Sequence, residues 1–193
     1  MTSVTLASAS PRRYELLLSL GLAVRVVPSD FDEGERPGYA PRELAAHHAG
    51  EKADVVAGRE PDELVVAADT VVDRDGIALG KPRDRTEAHE MLASLSGRDH
   101  VVHTAYVVID AQRSRIARTH STTVRFAALT VSDIASYIAT GEPMDKAGAY
   151  GIQARGAALV ERIDGDYHTV MGFPLGDFLR QLPALGYTLE TPR

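Results

Sequence analysis

The order in which two hydrophobic periods alternate along this chain constrains its fold more than any other feature. Residues 4–7 read as a short strand, and Leu16, Leu17 and Leu20 then recur at helical spacing behind Pro11. Proline suits the first helical position, where its missing N–H has no partner in any case, and Gly21 suits the end. The opening therefore reads strand, turn, helix. Val24 and Val26 flank Arg25 as a second strand would. Residues 41–57 read as a helix, which Gly50 weakens by about 1 kcal/mol relative to Ala. Residues 64–68 are continuously apolar, the pattern of a buried strand, and Asp69 closes them. Val71, Val72, the Asp75-Gly76 turn and residues 77–79 read as a hairpin. Asp84 and Glu87 form a capping box before a helix carrying Ala88, Met91, Leu92 and Leu95 and stopped by Gly97. Residues 101–109 and 116–126 read as two long paired strands. Thr130 and Asp133 cap a helix with Ile134, Tyr137 and Ile138. Residues 158–163 and 167–170 read as a hairpin about Asp164-Gly165, and Leu175, Phe178, Leu179 and Leu182 as a last helix. Residues 28–40, acidic with Asp30, Asp32, Glu33 and Glu35, and residues 141–156 are left as long loops. Strands interleaved with helices, several of the strands antiparallel neighbours, predict an α/β fold with a mixed sheet flanked by helices.

Composition narrows the function. With 193 residues, 44% of them hydrophobic, the chain suits one domain over residues 1–193 and buries a core without crosslinks. It has no cysteine, which excludes a disulfide framework, a thiolate metal site and a cysteine nucleophile. The formal net charge is −6 and no basic block stands out, so no nucleic-acid face is expected. An anionic substrate would then need a local cluster of cations. No apolar run approaches a membrane span and the start lacks the layout of a signal peptide, so the expected setting is cytoplasmic, without a membrane.

Four segments carry candidate chemistry. In the first, Ser8, Ser10, Arg12 and Arg13 surround the start of the first helix. A helix N-terminus offers N–H groups and a positive dipole end to phosphate, the serines add hydroxyl donors and the arginines forked cations. The plainer alternative is that Ser10 caps the helix and the arginines are solvated. Yet cations are unfavourable there, so two of them ask for an anion. In the second, Asp69 and Thr70 end the apolar run. Asp69 either ligates a divalent ion, activates water or caps a turn. The third comprises Glu33 and Lys52, each by itself readable as a solvated side chain, and Lys81, held rigidly between Gly80 and Pro82. Carboxylates with four cations match a triphosphate and a metal ion. The fourth, residues 145–153, is rich in small residues and either lets backbone approach a ligand or is a flexible loop. His47, His48, His100, His103, His120 and His168 show no metal-ligand spacing and read as surface or internally satisfied groups.

Taken in order, these residues resemble the Maf family of nucleoside triphosphate pyrophosphatases. The resemblance is carried by residues 6–13, 31–33, 51–53, 68–71, 80–82, 95–97 and 145–153, and covers nearly the whole chain. It implies an elongated fold like that of inosine triphosphate pyrophosphatases, with a substrate cleft between two lobes. It implies that Asp69 accepts the proton, that Glu33 and Asp69 hold Mg²⁺ or Mn²⁺, and that Ser8, Ser10, Arg12, Arg13, Lys52, Thr70, Lys81 and Gln153 bind the nucleotide. It also implies a homodimer. Arg12, Thr70 and Gln153 follow the dTTP- and UTP-hydrolysing branch, which makes monophosphate and pyrophosphate. The branch that prefers 7-methyl-GTP places an aromatic, Gln and Glu there. A cationic methylated guanine favours a carboxylate and an aromatic stack, whereas a glutamine amide matches the acceptors and donor of uracil and thymine. A regulator of cell division that binds nucleotide with little catalysis is the reading from another class.

Overall fold

In the computed structural model, residues 2–34 and 36–188 are described, and Glu35 of the acidic loop lies outside them. The first strand, β1 (Ser3–Leu6), buries Val4 and Leu6 completely and leads through a polar turn into α1 (Pro11–Ser19). The helix returns the chain to β2 (Ala23–Val26), which pairs parallel to β1 as a helical crossover requires. An irregular stretch then reaches α2 (Pro41–Arg59). This helix lays Ala45, Ala49, Ala53 and Ala57, one every turn, against β3 (Val65–Arg74) and β5 (Asp99–Ile109). The small side chains bring the helix close to the sheet. The helix runs unbroken through Gly50, where a Cβ would come within 3.1 Å of the Arg115 guanidinium. That guanidinium is bound to Asp54 one turn on, at 2.6 Å.

Together with β4 (Ile77–Leu79), β6 (Arg115–Phe126) and β7 (Val160–Asp164), these strands form one seven-stranded sheet. Its order is β2-β1-β3-β5-β6-β7, with β4 pairing on β3. The β2-β1-β3 part is parallel and the rest antiparallel, so the sheet is mixed as the pattern predicts. One face beyond β3 is covered by α3 (Arg85–Leu95) and α4 (Val131–Ala139), whose Leu92, Leu95, Ile134 and Tyr137 share a core with Phe126 and Tyr150. Two short helices, α5 (Tyr167–Met171) and α6 (Leu175–Gln181), return the chain to β1, where Phe173 and Phe178 pack with Leu6 and Leu17. The predicted caps form: the Glu87 amide donates to Asp84 at 2.9 Å and the Asp133 amide to Thr130 at 3.1 Å.

Four local expectations are corrected. Asp69 does not end a strand; β3 runs through it to Arg74, because the carboxylate finds ionic partners on α2 and the strand carries it into the interior. Residues 167–170 are the helix α5, not the second arm of a hairpin. Asp166 accepts from the Thr169 amide at 2.6 Å to start it, and Gly172 ends it at φ 109°, so β7 pairs with β6 instead. The stretch 141–156 is built of 3₁₀ turns over Glu142–Asp145, Ala147–Ala149 and, extending beyond it, Ala154–Leu159. The last helix stops at Gln181, and a 3₁₀ turn takes over at Leu182, one residue before Pro183 removes a donor.

Candidate active site

The site is a gap in the sheet. One edge of β3 pairs with β5 without a break, so β1 and β4 share the other edge. Strand β1 reaches only to Val66, and β4 begins at Val72. Between them the edge of β3 lacks a strand partner among the described residues, and the turn after β1 lies alongside. A cleft of about 1600 Å³ opens there. Ser8, Ser10, Arg12, Arg13, Glu33, Lys52, Asp69, Thr70, Lys81 and Gln153 all line it, so the fold brings these candidates to one place.

Strand alternation sends neighbours on β3 to opposite faces. Asp69 follows Val65 and Ala67 toward α2, whereas Thr70 follows Val66 and Ala68 toward α1. On the α2 side, His48 and Lys52 stand one helical turn apart and both reach Asp69. Lys52 Nζ lies 2.6 Å from Asp69 Oδ1, and His48 Nδ1 lies 3.3 Å from Asp69 Oδ2. All three are buried. Burial, the largest single influence, pushes the Asp69 carboxyl pKa up. The hydrogen bond to His48 and the charges of Lys52 and Arg13 together outweigh it, so the pKa lies below the ordinary carboxylate value and Asp69 is ionised at neutral pH. Glu33 comes over the top from the acidic loop and lies 2.7 Å from the same Lys52 Nζ.

On the other face, Arg13 is fixed at three points. It donates to the Gly172 carbonyl at 2.9 Å, to Ser8 Oγ at 3.0 Å and to Thr70 Oγ1 at 3.1 Å. Burial lowers its pKa most and Asp69 and Glu33 oppose that, but a guanidinium stays protonated regardless. The Ser10 hydroxyl makes no capping bond to α1, which leaves the first-turn amides uncapped by that side chain and weakens the plain reading of Ser10 as an N-cap. Instead the Ser10 amide donates to Ser8 Oγ at 3.3 Å. Arg12 reaches across the cleft to Asp145, 3.5 Å away and exposed. Lys81 is exposed on the wall, and its Gly80 carbonyl receives the Gly148 amide at 3.0 Å, which ties the Gly-Lys-Pro segment to the small-residue stretch. Gln153 is exposed on the same side. Gly148 lies at φ 66°, where a Cβ would also press within 3.0 Å of Val72, so this wall depends on glycine.

The reading of the histidines is corrected at one position. His48 belongs to the site, and its Nε2 is buried without a hydrogen-bond partner. The signal in the sequence was its spacing of four before Lys52, which places both on one helix face. The others make internal or surface contacts: His100 with the Tyr150 hydroxyl at 2.7 Å, His103 with Ser121 and Asp73, His120 with Asp177, His47 stacked on Tyr39 and His168 beside Asp166. Glu33, His48 and Asp69 each offer a ligand atom within 4.8 Å of the others. Two carboxylates and an imidazole suit a divalent cation, and the Lys52 ammonium shows that a positive charge is already accommodated between the carboxylates.

The Maf-like protein family model matches residues 3–185. The chain belongs to the Maf family. Similar curated proteins include the dTTP/UTP pyrophosphatase of Pelotomaculum thermopropionicum, 45% identical over 190 residues, with 98% of this chain and 100% of that one covered. That of Symbiobacterium thermophilum is 46% identical over 191 residues, covering 99% and 98%. That of Moorella thermoacetica is 49% identical over 176 residues, covering 91% of each. Among solved structures, the Staphylococcus aureus Ham1 protein overlaps 65% of this chain and 72% of its own at 14% identity, with a TM-score of 0.47. In this Maf-family chain the buried Asp69 lines the cleft, held by Lys52 and His48.

Proposed function

We propose that this protein hydrolyses dTTP and UTP to the monophosphate and pyrophosphate. The observation that carries the reading is the ionised Asp69 between Lys52 and His48, across the edge of β3 from the Arg13–Ser8–Thr70 cluster. Full-length relatives that bear the name dTTP/UTP pyrophosphatase support it. Arg12, Thr70 and Gln153 fit the pyrimidine branch rather than one that takes 7-methyl-GTP. The proposal extends to residues 1–193 as one Maf-like domain with its cleft between two lobes, to a homodimer and to a cytoplasmic setting. Among the described residues no helix is long and apolar enough to cross a membrane.

The residues divide the work. The amides of α1, the Ser8 and Ser10 hydroxyls and Arg13 hold phosphate oxygens, and Arg12, Lys52 and Lys81 gather charge on the departing pyrophosphate. Asp69 takes the proton of the water that attacks the α-phosphorus. In the free protein Lys52 pairs with both Asp69 and Glu33. Drawn toward the triphosphate, it relaxes its hold and leaves Asp69 the stronger base. Glu33 and Asp69 would hold Mg²⁺ or Mn²⁺, which supplies charge neutralisation on the phosphates. Gln153 and Thr70 read the base. The test is pyrophosphate release from a panel of nucleoside triphosphates, 7-methyl-GTP included, with Mg²⁺ or Mn²⁺. Preferred turnover of dTTP and UTP is expected. Preference for 7-methyl-GTP would reassign the branch, and binding without turnover would favour a nucleotide-binding regulator of cell division.

A further inference from the structure

Behind the cleft wall, on β5, Thr104 is fully buried and does not line the cleft. Its Oγ1 lies 2.7 Å from the Thr169 carbonyl oxygen and 2.9 Å from Thr70 Oγ1. A carbonyl oxygen cannot donate, so the single Thr104 proton goes to Thr169. The contact between the two threonines is then made by the Thr70 proton. Thr70 Oγ1 also accepts from Arg13 Nη2 at 3.1 Å. A hydroxyl has one proton and two lone pairs. Thr70 therefore faces the cleft with one lone pair and no proton. Ser8 is the reverse: its oxygen accepts from Arg13 Nη1 at 3.0 Å and from the Ser10 amide at 3.3 Å, and its proton is uncommitted. Two hydroxyls on one guanidinium thus present opposite polarity.

We propose that Thr104 is a positioning residue that makes Thr70 an acceptor only, and that this polarity selects uracil and thymine over cytosine. The inference rests on the nucleotide reading above. N3 of uracil or thymine carries a hydrogen that the Thr70 lone pair accepts. N3 of cytosine carries a lone pair, and two lone pairs facing each other in a half-buried site leave both unsatisfied. Sites built around a hydrogen bond reject the analogue that cannot make it far more strongly than apolar pockets reject a missing methylene. Phosphate oxygens, which only accept, are left to the Ser8 proton and to Arg13. The direction of the chain Arg13 to Thr70 to Thr104 to Thr169 thereby separates the base-reading hydroxyl from the phosphate-holding one.

Thr104→Val keeps the shape and removes the hydroxyl. The Thr169 carbonyl keeps the Gly172 amide at 3.2 Å, so it is not stranded. The Thr70 proton is then released to turn into the cleft. The experiment measures kcat/KM for UTP and CTP in the unaltered protein, Thr104→Val and Thr104→Ser. The unaltered protein should favour UTP. The UTP-to-CTP ratio should fall at least about tenfold in Thr104→Val and hold within about twofold in Thr104→Ser, since only the latter keeps the hydroxyl. UTP turnover with an unchanged ratio in Thr104→Val overturns this inference alone. Failure of the unaltered protein to turn over UTP overturns the nucleotide reading and this inference with it. If Thr104→Val does not fold, Thr70→Val, at a half-buried position, removes the accepting lone pair itself and should also lower the ratio; an unchanged ratio there also overturns the inference.

Discussion

Replacing Asp69 with Asn removes one charge and almost no volume. In the native protein Asp69 accepts from Lys52 at 2.6 Å and lies 3.3 Å from His48, with all three buried. Asparagine can still accept a hydrogen bond from Lys52, but it cannot take a proton from water. The loss of a positioned base lowers kcat by about 10²- to 10⁴-fold. The KM for UTP should change little, because Ser8, Arg13 and Lys81 remain. Breaking a buried ion pair outright costs about 3–5 kcal/mol. Lys52 keeps Glu33 at 2.7 Å, however, and that carboxylate is half-exposed, so the destabilisation should be nearer 2 kcal/mol, in the range of about 1–3 kcal/mol for an imperfectly satisfied buried group. For a chain of this size that shifts Tm by about 4–8 °C. Pyrophosphate release under saturating UTP and a thermal melt measure the two effects on the same sample. A folded Asp69→Asn protein with kcat within about tenfold of the parent would refute the assignment of Asp69 as the proton acceptor.

Two further outcomes are expected. Gln153→Glu places a carboxylate against the carbonyl edge of a pyrimidine and should reduce kcat/KM for UTP and dTTP more than for 7-methyl-GTP; an unchanged substrate ratio removes Gln153 from base reading. Burial lowers the His100 pKa to about 4 from 6.5, with Asp99 opposing and Arg98 adding slightly. The unfolded chain therefore takes up this proton first, so the stability is complete above 6.5 and declines as the pH falls toward about 4. At pH 5 the cost is about 2 kcal/mol. Urea denaturation of His100→Gln and the parent at pH 7 and pH 5 should show the parent losing that much more between them, and equal losses would count against a neutral buried imidazole.

Much of the fold was legible because strands and helices write different periods. The β1–α1–β2 unit, the capped starts of α3 and α4 and the long β5–β6 pair depend on local spacing and on caps within three residues, and these survive folding. The errors fell where distant partners outweighed local preference. Asp69 looked like a strand terminator because a lone carboxylate is costly inside a sheet, and only α2 supplies the ammonium that makes its burial tolerable. Tyr167 and Val170 favour strands by residue type, but the Asp166 cap and the left-handed Gly172 impose a helical turn.

The sequence by itself determined the class of fold and the family, since residue types, their order and their periods are enough for those, and it named most of the candidate residues of the cleft but not His48. Tertiary structure alone decided how these residues are wired. Alternation along β3 sends Asp69 and Thr70 to opposite faces, so one meets Lys52 and His48 and the other Arg13 and Thr104. Contacts across 21 residues to His48 and 34 to Thr104 leave no periodic trace in the chain, and the direction of a hydroxyl proton depends on which carbonyl waits at the end of the relay.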